Sequence, residues 1–229
     1  MKTIGLIGGM SWESTLSYYQ IINETIKKEL GGLHSAKLLL YSVDFAQIEQ
    51  NQATGNWDKS TELLTDVAKR LEKAGADFII ICTNTMHKVA PQIQEELKVP
   101  ILHIAQATAE VLLENKIQSV GLLGTKYTMT QDFYKEKLIA SGLSVSIPEQ
   151  SDIDEINRII YEELCLGDIK SQSKETFLEI IAKLKEKGVQ AVILGCTEIG
   201  LLVNQTDTTL PLFDTTRIHA ESAALLSLQ

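Results

Sequence analysis

The 229-residue chain has little cysteine, an excess of negative over positive charge and no long apolar run. Its three cysteines form no even-numbered framework, which is typical of reduced thiols in a cytoplasm rather than of disulfides. A net charge of -9, with never more than two Lys or Arg residues in a row, argues against a nucleic-acid or anionic-membrane partner. No segment approaches the ~18 apolar residues of a membrane span. We therefore expect a cytoplasmic protein with no membrane partner and no nucleic-acid partner.

Several sequence motifs of known catalytic and cofactor-binding sites are also absent. The first turn has no G-x-G-x-x-G, and neither the phosphate-binding G-x-x-x-x-G-K-[ST] nor the serine-nucleophile motif G-x-S-x-G occurs. The four histidines show no metal-ligand spacing beyond the pair Cys82 and His87, which is too little for a site. The sequence therefore predicts no metal and no nucleotide cofactor.

Short apolar runs alternate with amphipathic segments along the whole chain. The runs are rich in Ile, Leu and Val and predict buried strands of a parallel sheet at residues 2–8, 36–43, 77–83, 99–105, 117–125, 143–147, 190–196 and 210–213. Helical spacing predicts helices at 14–30, 60–74, 130–141, 154–166, 174–187 and from 214 onward. This alternation is typical of the α/β class.

The two halves of the sequence resemble each other. IGLIGGM in the first half matches VGLLGTK in the second, and CTNT matches GCTE. Gly5 and Thr83 are 78 positions apart, and Gly121 and Cys196 are 75 apart. Similar motifs at similar spacing favour an internal duplication of one α/β unit.

Hydroxyl and glycine residues follow four of the predicted strands. They form GGMS at 8–11, TNT at 83–85, GT at 124–125 and CTE at 196–198. Parallel α/β sheets bind ligands beyond the carboxyl ends of their strands. The motifs therefore predict a site for a small anionic group, such as a carboxylate, held by backbone amides and by the side chains of Ser11, Asn84, Thr85, Thr125 and Thr197.

Cys196 is the strongest candidate for chemistry. It follows Gly195 at a strand end and precedes a predicted helix start, where the pKa of a thiol falls below its ordinary value of about 8.5. For Cys82 and Cys165 we expect the more common role of a small buried apolar residue.

The motifs GGMSWEST, TNT, GT and GCTE, in this order, resemble the aspartate/glutamate racemase superfamily, in particular its aspartate racemase and broad-specificity amino-acid racemase branch. The resemblance implies a PLP-independent racemase, without a cofactor, that is a homodimer and acts on a small-molecule amino acid. It also implies two Rossmann-like domains with parallel sheets flanked by helices, related by a pseudo-twofold axis, with the active site in the interdomain cleft. The domains would comprise residues 1–104 plus 214–229, the C-terminal helix packing on the first domain, and residues 105–213.

The family mechanism that the resemblance implies uses two thiols on opposite faces of the substrate. One removes the Cα proton and the other delivers a proton to the opposite face. Cys196 matches the second thiol, but Thr83 stands where the first is expected, with the cysteine displaced to Cys82. Because successive strand residues point to opposite faces, Cys82 is expected in the core if Thr83 faces the site.

Three possibilities remain open for proton transfer on the substrate face that Thr83 would serve. Thr83 could act as the acid, or relay a proton through water or through His87. A bulge at the strand end could turn Cys82 toward the site. Otherwise Cys196 acts alone, as in a single-thiol decarboxylase or isomerase of the same superfamily.

The substrate is less well defined than the reaction. Relatives that prefer aspartate hold its distal carboxylate with basic side chains, but the corresponding segments, VDFAQIEQNQ at 43–52 and the EELCLGD that ends at Asp168, contain no Lys or Arg. Aspartate, glutamate and small polar amino acids such as homoserine are equal candidates, with Met10 expected to line the substrate pocket. A non-catalytic protein that binds a small carboxylate is the competing class.

Overall fold

The computed structural model describes all residues from Met1 to Gln229. The chain forms two compact units, which we call unit 1 and unit 2. Unit 1 comprises Met1–Ile104 and His219–Gln229, and unit 2 comprises Ala105–Ile218. None of the helices combines the length and the apolar character needed to cross a lipid bilayer.

Unit 1 contains a three-stranded parallel sheet in the order β2-β1-β3. Its elements, in chain order, are β1 (Ile4–Gly8), α1 (Trp12–Leu30), β2 (Leu38–Ser42), α2 (Phe45–Ala53), α3 (Trp57–Lys73), β3 (Phe78–Ile81), a 3₁₀ helix (Thr85–Val89) and α4 (Ala90–Glu95). Every residue of β1 and β3 is buried, as expected for strands covered by helices on both faces.

Unit 2 contains a four-stranded parallel sheet in the order β5-β4-β6-β7. Beginning with α5 at the boundary between the units, the elements are α5 (Ile104–Glu114), β4 (Ser119–Gly124), α6 (Lys126–Thr130), α7 (Asp132–Ala140), β5 (Ser144–Ser146), α8 (Gln150–Glu162), a 3₁₀ helix (Leu164–Leu166), α9 (Ser171–Glu186), β6 (Ala191–Gly195), α10 (Ile199–Leu202), a 3₁₀ helix (Gln205–Asp207), β7 (Leu212–Asp214) and α11 (Thr215–Ser227). The predicted fold class, α/β with two parallel sheets flanked by helices, is confirmed.

The end of α11 belongs to unit 1. Its small residues Ala220, Ala223 and Ala224 pack in one core cluster with Ile4 and Phe78 of the first sheet. Small side chains at this spacing let the helix approach the strands closely, so the C-terminus of the chain is anchored beside β1.

The predicted strand at 99–105 is wrong. Only a single bridge, between Ile79 and Ile101, forms in this segment, and helix α5 begins at Ile104. A short apolar run fits a buried strand and the start of a buried helix equally well, so its composition could not decide between them. Helix α2 was not predicted, because only Ile48 and Gln52 of its nine residues are buried and it shows little apolar periodicity.

Candidate active site

The predicted site residues of unit 1 lie beyond the ends of two neighbouring strands. Strands β1 and β3 pair in register up to Ile7 and Ile81, and the amide of Cys82 continues the ladder by donating to the Ile7 carbonyl at 2.9 Å. Thr83 is partly exposed directly after this point. The structure therefore places Thr83 at the same edge of the sheet as the GGMS turn that follows β1.

The predicted site residues of unit 2 have a matching arrangement. Strands β4 and β6 pair up to Gly124 and Gly195, so that Thr125 and Cys196 leave the sheet side by side. Both are buried. A Cβ atom on Gly195 would lie 2.7 Å from the Leu123 carbonyl oxygen, so glycine is required for the two strand ends to lie this close together.

Strand register supports the internal duplication. The central strand of each sheet carries a glycine, Gly5 or Gly121, paired with Ile79 and Val192 respectively. Thr83 lies four residues after Ile79, and Cys196 lies four residues after Val192. Thr83, and not Cys82, is thus the positional counterpart of Cys196 in the other unit.

A network of hydroxyl groups holds the turn between β1 and α1. Ser11 caps α1 by accepting from the Ser14 amide at 3.3 Å, and Ser14 donates to the Cys82 carbonyl at 3.2 Å. Thr15 accepts from the Gly9 amide and donates to the Ser11 carbonyl, both at 2.8 Å. The turn after β1 is therefore bonded directly to the end of β3. The sequence analysis missed Ser14 and Thr15, whose roles depend on contacts 68 and 6 residues away along the chain.

Cys82 lies in the core, as predicted. Its side chain is fully buried among Tyr18, Ile80 and Ala220, and this burial raises the pKa of its thiol. The proposed bulge that would turn Cys82 toward the site is wrong, since the ladder continues without interruption through its amide.

Cys196 contacts a carboxylate that the sequence analysis had not assigned a role. Its Sγ–H donates to Glu198 Oε2 at 3.0 Å, and both side chains are buried. Burial, followed by the negative charge of Glu198, raises the pKa of Cys196 well above its usual range. The predicted lowering of this pKa by a helix terminus is wrong, because α10 begins only at Ile199 and is four residues long. The resting form of Cys196 is a thiol with a proton acceptor beside it.

Thr197 bonds to the same carboxylate, and Thr125 lies at the end of the neighbouring strand. Thr197 donates to the same Glu198 Oε2 at 2.5 Å, so two donors share one carboxylate oxygen. Thr125 caps α6 by accepting from the Thr128 amide at 3.3 Å. Because Cys196 and Thr197 share one acceptor, both of their hydrogen bonds are expected to weaken when the Glu198 carboxylate gains a proton.

His87 cannot relay a proton from Thr83 in this arrangement. Its Nδ1–H donates to the Thr83 carbonyl at 2.8 Å, and its Nε2 accepts from the Ile104 amide at 3.2 Å. Burial, together with the neighbouring rings of His103 and His219, lowers the pKa of His87 well below its usual range. Both ring nitrogens are thus committed to the backbone. His87 fixes the position of Thr83 and stays neutral.

The other predicted site residues of unit 1 either follow Thr83 directly in the chain or lie in the core. Asn84 and Thr85 follow it and are buried, with Thr85 beginning the 3₁₀ helix. Met10 is buried in a core cluster with Ile48 and Met86. No group of three or more His, Cys, Asp or Glu residues could hold a metal ion.

Comparisons with known proteins agree with the fold. A family model described as Asp/Glu/hydantoin racemase matches residues 7–223. The broad specificity amino-acid racemase RacX of Bacillus subtilis is 23% identical over 224 residues, which cover 96% of this chain and 95% of that protein. Crystal structures of a candidate Asp/Glu racemase from Yersinia pestis (54% identity, TM-score 0.94) and of an aspartate racemase homologue from Pyrococcus horikoshii (39% identity, TM-score 0.88) each match over 100% of both chains. The chain belongs to the Asp/Glu/hydantoin racemase family.

Proposed function

We propose that this protein is a cofactor-independent amino-acid racemase in which Cys196 is the principal acid and base. The observation that carries the proposal is the buried contact of 3.0 Å between Cys196 Sγ and Glu198 Oε2. A Cα–H bond beside a carboxylate is a very weak acid, so its removal needs a strong base in a site that excludes water. A thiol buried beside a carboxylate meets this need, because transfer of its proton to Glu198 creates the thiolate at the moment of reaction.

The proton transfers balance as follows. Glu198 takes the Cys196 proton, and the thiolate then takes the Cα proton from one face of the amino acid. A proton from the other side completes inversion, after which Glu198 releases its proton to solvent and the donor of the second face regains one from solvent. We propose that Thr83 is the group on that second face, supported by its position as the counterpart of Cys196. A hydroxyl is a much weaker acid and base than a thiol, so this face is expected to limit the rate.

The hydroxyl and amide groups at the strand ends are proposed to hold the substrate. Ser11, Asn84 and Thr85 belong to unit 1, and Thr125 and Thr197 belong to unit 2, with Met10 as the apolar wall. The proposal requires one bound amino acid to reach both Thr83 and Cys196. The substrate is proposed to be aspartate, glutamate or a small polar amino acid.

A homodimer is proposed for the assembled protein. Helix α1 exposes Trp12, Leu16 and Tyr19 on one stripe, and the edge strand β2 exposes Leu40. Leu40 lies on the α1 side of the sheet, since its Cδ1 and the Thr15 side chain would both contact a Cβ on Gly8. An exposed apolar edge of this kind is usually covered in a native assembly.

A second candidate function follows from the protonated state of Cys196. A thiol whose pKa is raised keeps its proton near neutral pH and can still protonate a carbanion, which is a far stronger base, whereas a threonine opposite it is a poor base. This favours, as the alternative, a single-thiol enzyme that protonates one face of a carbanion, as a decarboxylase or an isomerase does.

The test is exchange of the Cα proton in D₂O without added cofactor. Single L- and D-amino acids are incubated with the protein, with deuterium at Cα followed by NMR and enantiomer ratio by chiral chromatography. We expect deuterium at Cα together with loss of optical purity. Because the equilibrium constant between enantiomers is one, kcat/KM should be equal in the two directions. Deuterium with optical purity retained would favour the single-thiol alternative. Absence of exchange with every amino acid would contradict the racemase and favour a different carboxylate substrate or a binding protein.

The variant Cys196→Ser makes the test specific. A hydroxyl in place of the thiol should lower exchange at least ~10³-fold, because the alkoxide is out of reach near neutral pH. Cys165→Ser is the matched control: Cys165 packs at the edge of the same core cluster and interacts electrostatically with Cys196, so its replacement changes the surroundings of that thiol without removing the thiol itself. A non-catalytic binding protein would tolerate both changes with its affinity for the amino acid nearly intact.

A further inference from the structure

Lys88 lies on the same side of the short 3₁₀ helix as Thr85. This helix runs from Thr85 to Val89, directly after Thr83 and Asn84. Residues three apart eclipse each other in a 3₁₀ helix, with a rise of about 2 Å per residue, so the Lys88 Cα lies about 6 Å along the axis from that of Thr85. His87, between them in sequence, turns inward to His103 and His219.

The Lys88 ammonium group has a defined position above an aromatic ring. Its Nζ lies 3.9 Å from the centroid of the Trp57 ring. Trp57 is the first residue of α3 and packs, partly buried, against the core cluster that contains Met10 and Met86. The ring therefore holds the positive charge at the edge of the sheet where β1 and β3 end, which is the edge that carries the proposed substrate-binding residues of unit 1.

The environment of Lys88 strengthens its interaction with an anion. The side chain is partly buried, and this burial lowers the pKa of its ammonium group. A partly desolvated cation attracts a carboxylate more strongly than a fully hydrated one does, because the effective dielectric constant is lower. Attraction to the π face of an indole ring adds orientation without neutralising the charge.

Cations near the strand ends of unit 2 are bound to carboxylates. Lys126, the residue after Thr125, lies 2.7 Å from Asp154. Arg158 contacts Glu155 at 2.7 Å and the buried Glu163 at 2.9 Å. These carboxylates offset the positive charge of Lys126 and Arg158, which makes both less able to attract an acidic substrate.

We propose that Lys88 is a specificity-determining residue that binds the side-chain carboxylate of an acidic amino acid. The inference rests on the proposed function, because it assumes that Asn84 and Thr85 hold the α-carboxylate of the same molecule. It supplies the cation that the segments at 43–52 and before Gly167 lack. The proposal requires a dicarboxylic amino acid of four or five carbons to reach from Thr85 to the ammonium above Trp57, so the proposed substrate class becomes acidic rather than neutral.

The test compares Lys88→Gln and Lys88→Arg with the wild type on L-aspartate, L-glutamate and L-homoserine, using initial rates of Cα exchange in D₂O. We expect Lys88→Gln to raise KM for the two acidic substrates at least tenfold with kcat changed less than threefold, and to leave homoserine unaffected. Lys88→Arg should keep much of the preference for acidic substrates. Lys69→Gln is the matched control, because it removes one positive charge from an exposed ion pair with Glu96 in the same unit.

Calorimetric titration with succinate, a dicarboxylate that cannot racemise, separates this inference from the proposed function. Binding to the wild type that weakens at least tenfold in Lys88→Gln supports the role of Lys88 even if no amino acid is turned over. Equal losses for acidic and neutral substrates would assign Lys88 a packing role on Trp57. That result, exchange of neutral amino acids alone, or failure of the wild type to bind succinate would overturn the inference. Thermal melting of each variant identifies any loss of fold.

Discussion

At the scale of single residues, the proposed chemistry depends on how Cys196 loses its proton. Burial and the charge of Glu198 stabilise the thiol form, so that the resting site holds a proton and a nearby acceptor rather than a ready thiolate. Thr197 shares that acceptor at 2.5 Å. In the proposed mechanism the reactive thiolate is reached by a short proton transfer within one buried group of atoms, which costs less reorganisation than release of the proton to solvent.

Glu198→Gln tests this mechanism directly. The amide keeps the size of the side chain and can still accept from Cys196, but it cannot take up the proton, so we expect exchange to fall ~10²–10⁴-fold with little change in KM. Initial rates of Cα deuteration measure the effect, with Glu162→Gln as the control because Glu162 is largely exposed on α8. A loss shared equally by the two variants, or rates unchanged in Glu198→Gln, would remove Glu198 from the mechanism.

Thr83→Cys tests the second face. The new thiol would stand at the position that corresponds to Cys196, in a turn that His87 already fixes through the Thr83 carbonyl. Since a thiol is the stronger acid and base, we expect racemisation to accelerate at least tenfold in Thr83→Cys and to fall in Thr83→Val. Chiral chromatography distinguishes this from simple exchange on the Cys196 face. Equal racemisation rates in the wild type, Thr83→Cys and Thr83→Val would show that Thr83 does not handle the proton.

At the scale of elements, strand ends were predictable and side-chain partners were not. The alternation of side chains along β3 correctly predicted that Cys82 lies in the core. The contact between Glu198 and Cys196 depends on how the chain bends after Gly195, and the bonds of His87 depend on a segment 17 residues away. Such partners arise from tertiary structure, which one sequence does not encode as a local pattern.

Helix α1 and strand β2 lead to a prediction about assembly. If their exposed apolar residues form a dimer interface, Tyr19→Lys combined with Leu40→Lys should convert a dimer into a monomer, because two buried ammonium groups without partners strongly oppose association. Sedimentation equilibrium measures the mass. Leu33→Lys serves as the control, since Leu33 is fully exposed in the turn after α1. A double variant that stays dimeric would place the interface elsewhere, and a monomeric wild type would contradict the dimer itself.

At the scale of the whole molecule, the two sheets repeat one plan. The first three strands of each follow the same order, with the first strand central, and the fourth strand, β7, is an addition to the second sheet. The repeat places Thr83 and Cys196, the two residues proposed to transfer protons, at the same offset in each unit, yet the side chains differ, a hydroxyl in one and a thiol in the other. An internal duplication is consistent with the matching positions, and the difference in side chains gives the two positions different acid and base strengths.

Buried histidines connect the distant ends of the chain and make its stability depend on pH. His219, near the C-terminus, accepts from the Tyr18 hydroxyl and donates to the Leu102 carbonyl, both at 2.8 Å. Its ring lies 5.6 Å from that of His87, which in turn lies 4.5 Å from that of His103. A proton on His219 would break the bond from Tyr18 and add an unsolvated charge, so burial lowers the pKa of His219 to about 4.

The unfolded chain binds this proton near its ordinary pKa of about 6.5, so the contribution of His219 to stability is complete above pH 6.5 and is lost as the pH falls toward 4. We expect the free energy of unfolding to decrease in this window by up to about 1.4 kcal/mol per pH unit for each such histidine. Urea unfolding at a series of pH values measures it. In His219→Gln the slope should be smaller, and NMR of the wild type should show a His219 ring that does not titrate above pH 5. Parallel stability curves for the two proteins, or a ring that titrates near 6.5, would show that the buried cluster does not set the acid limit of the fold.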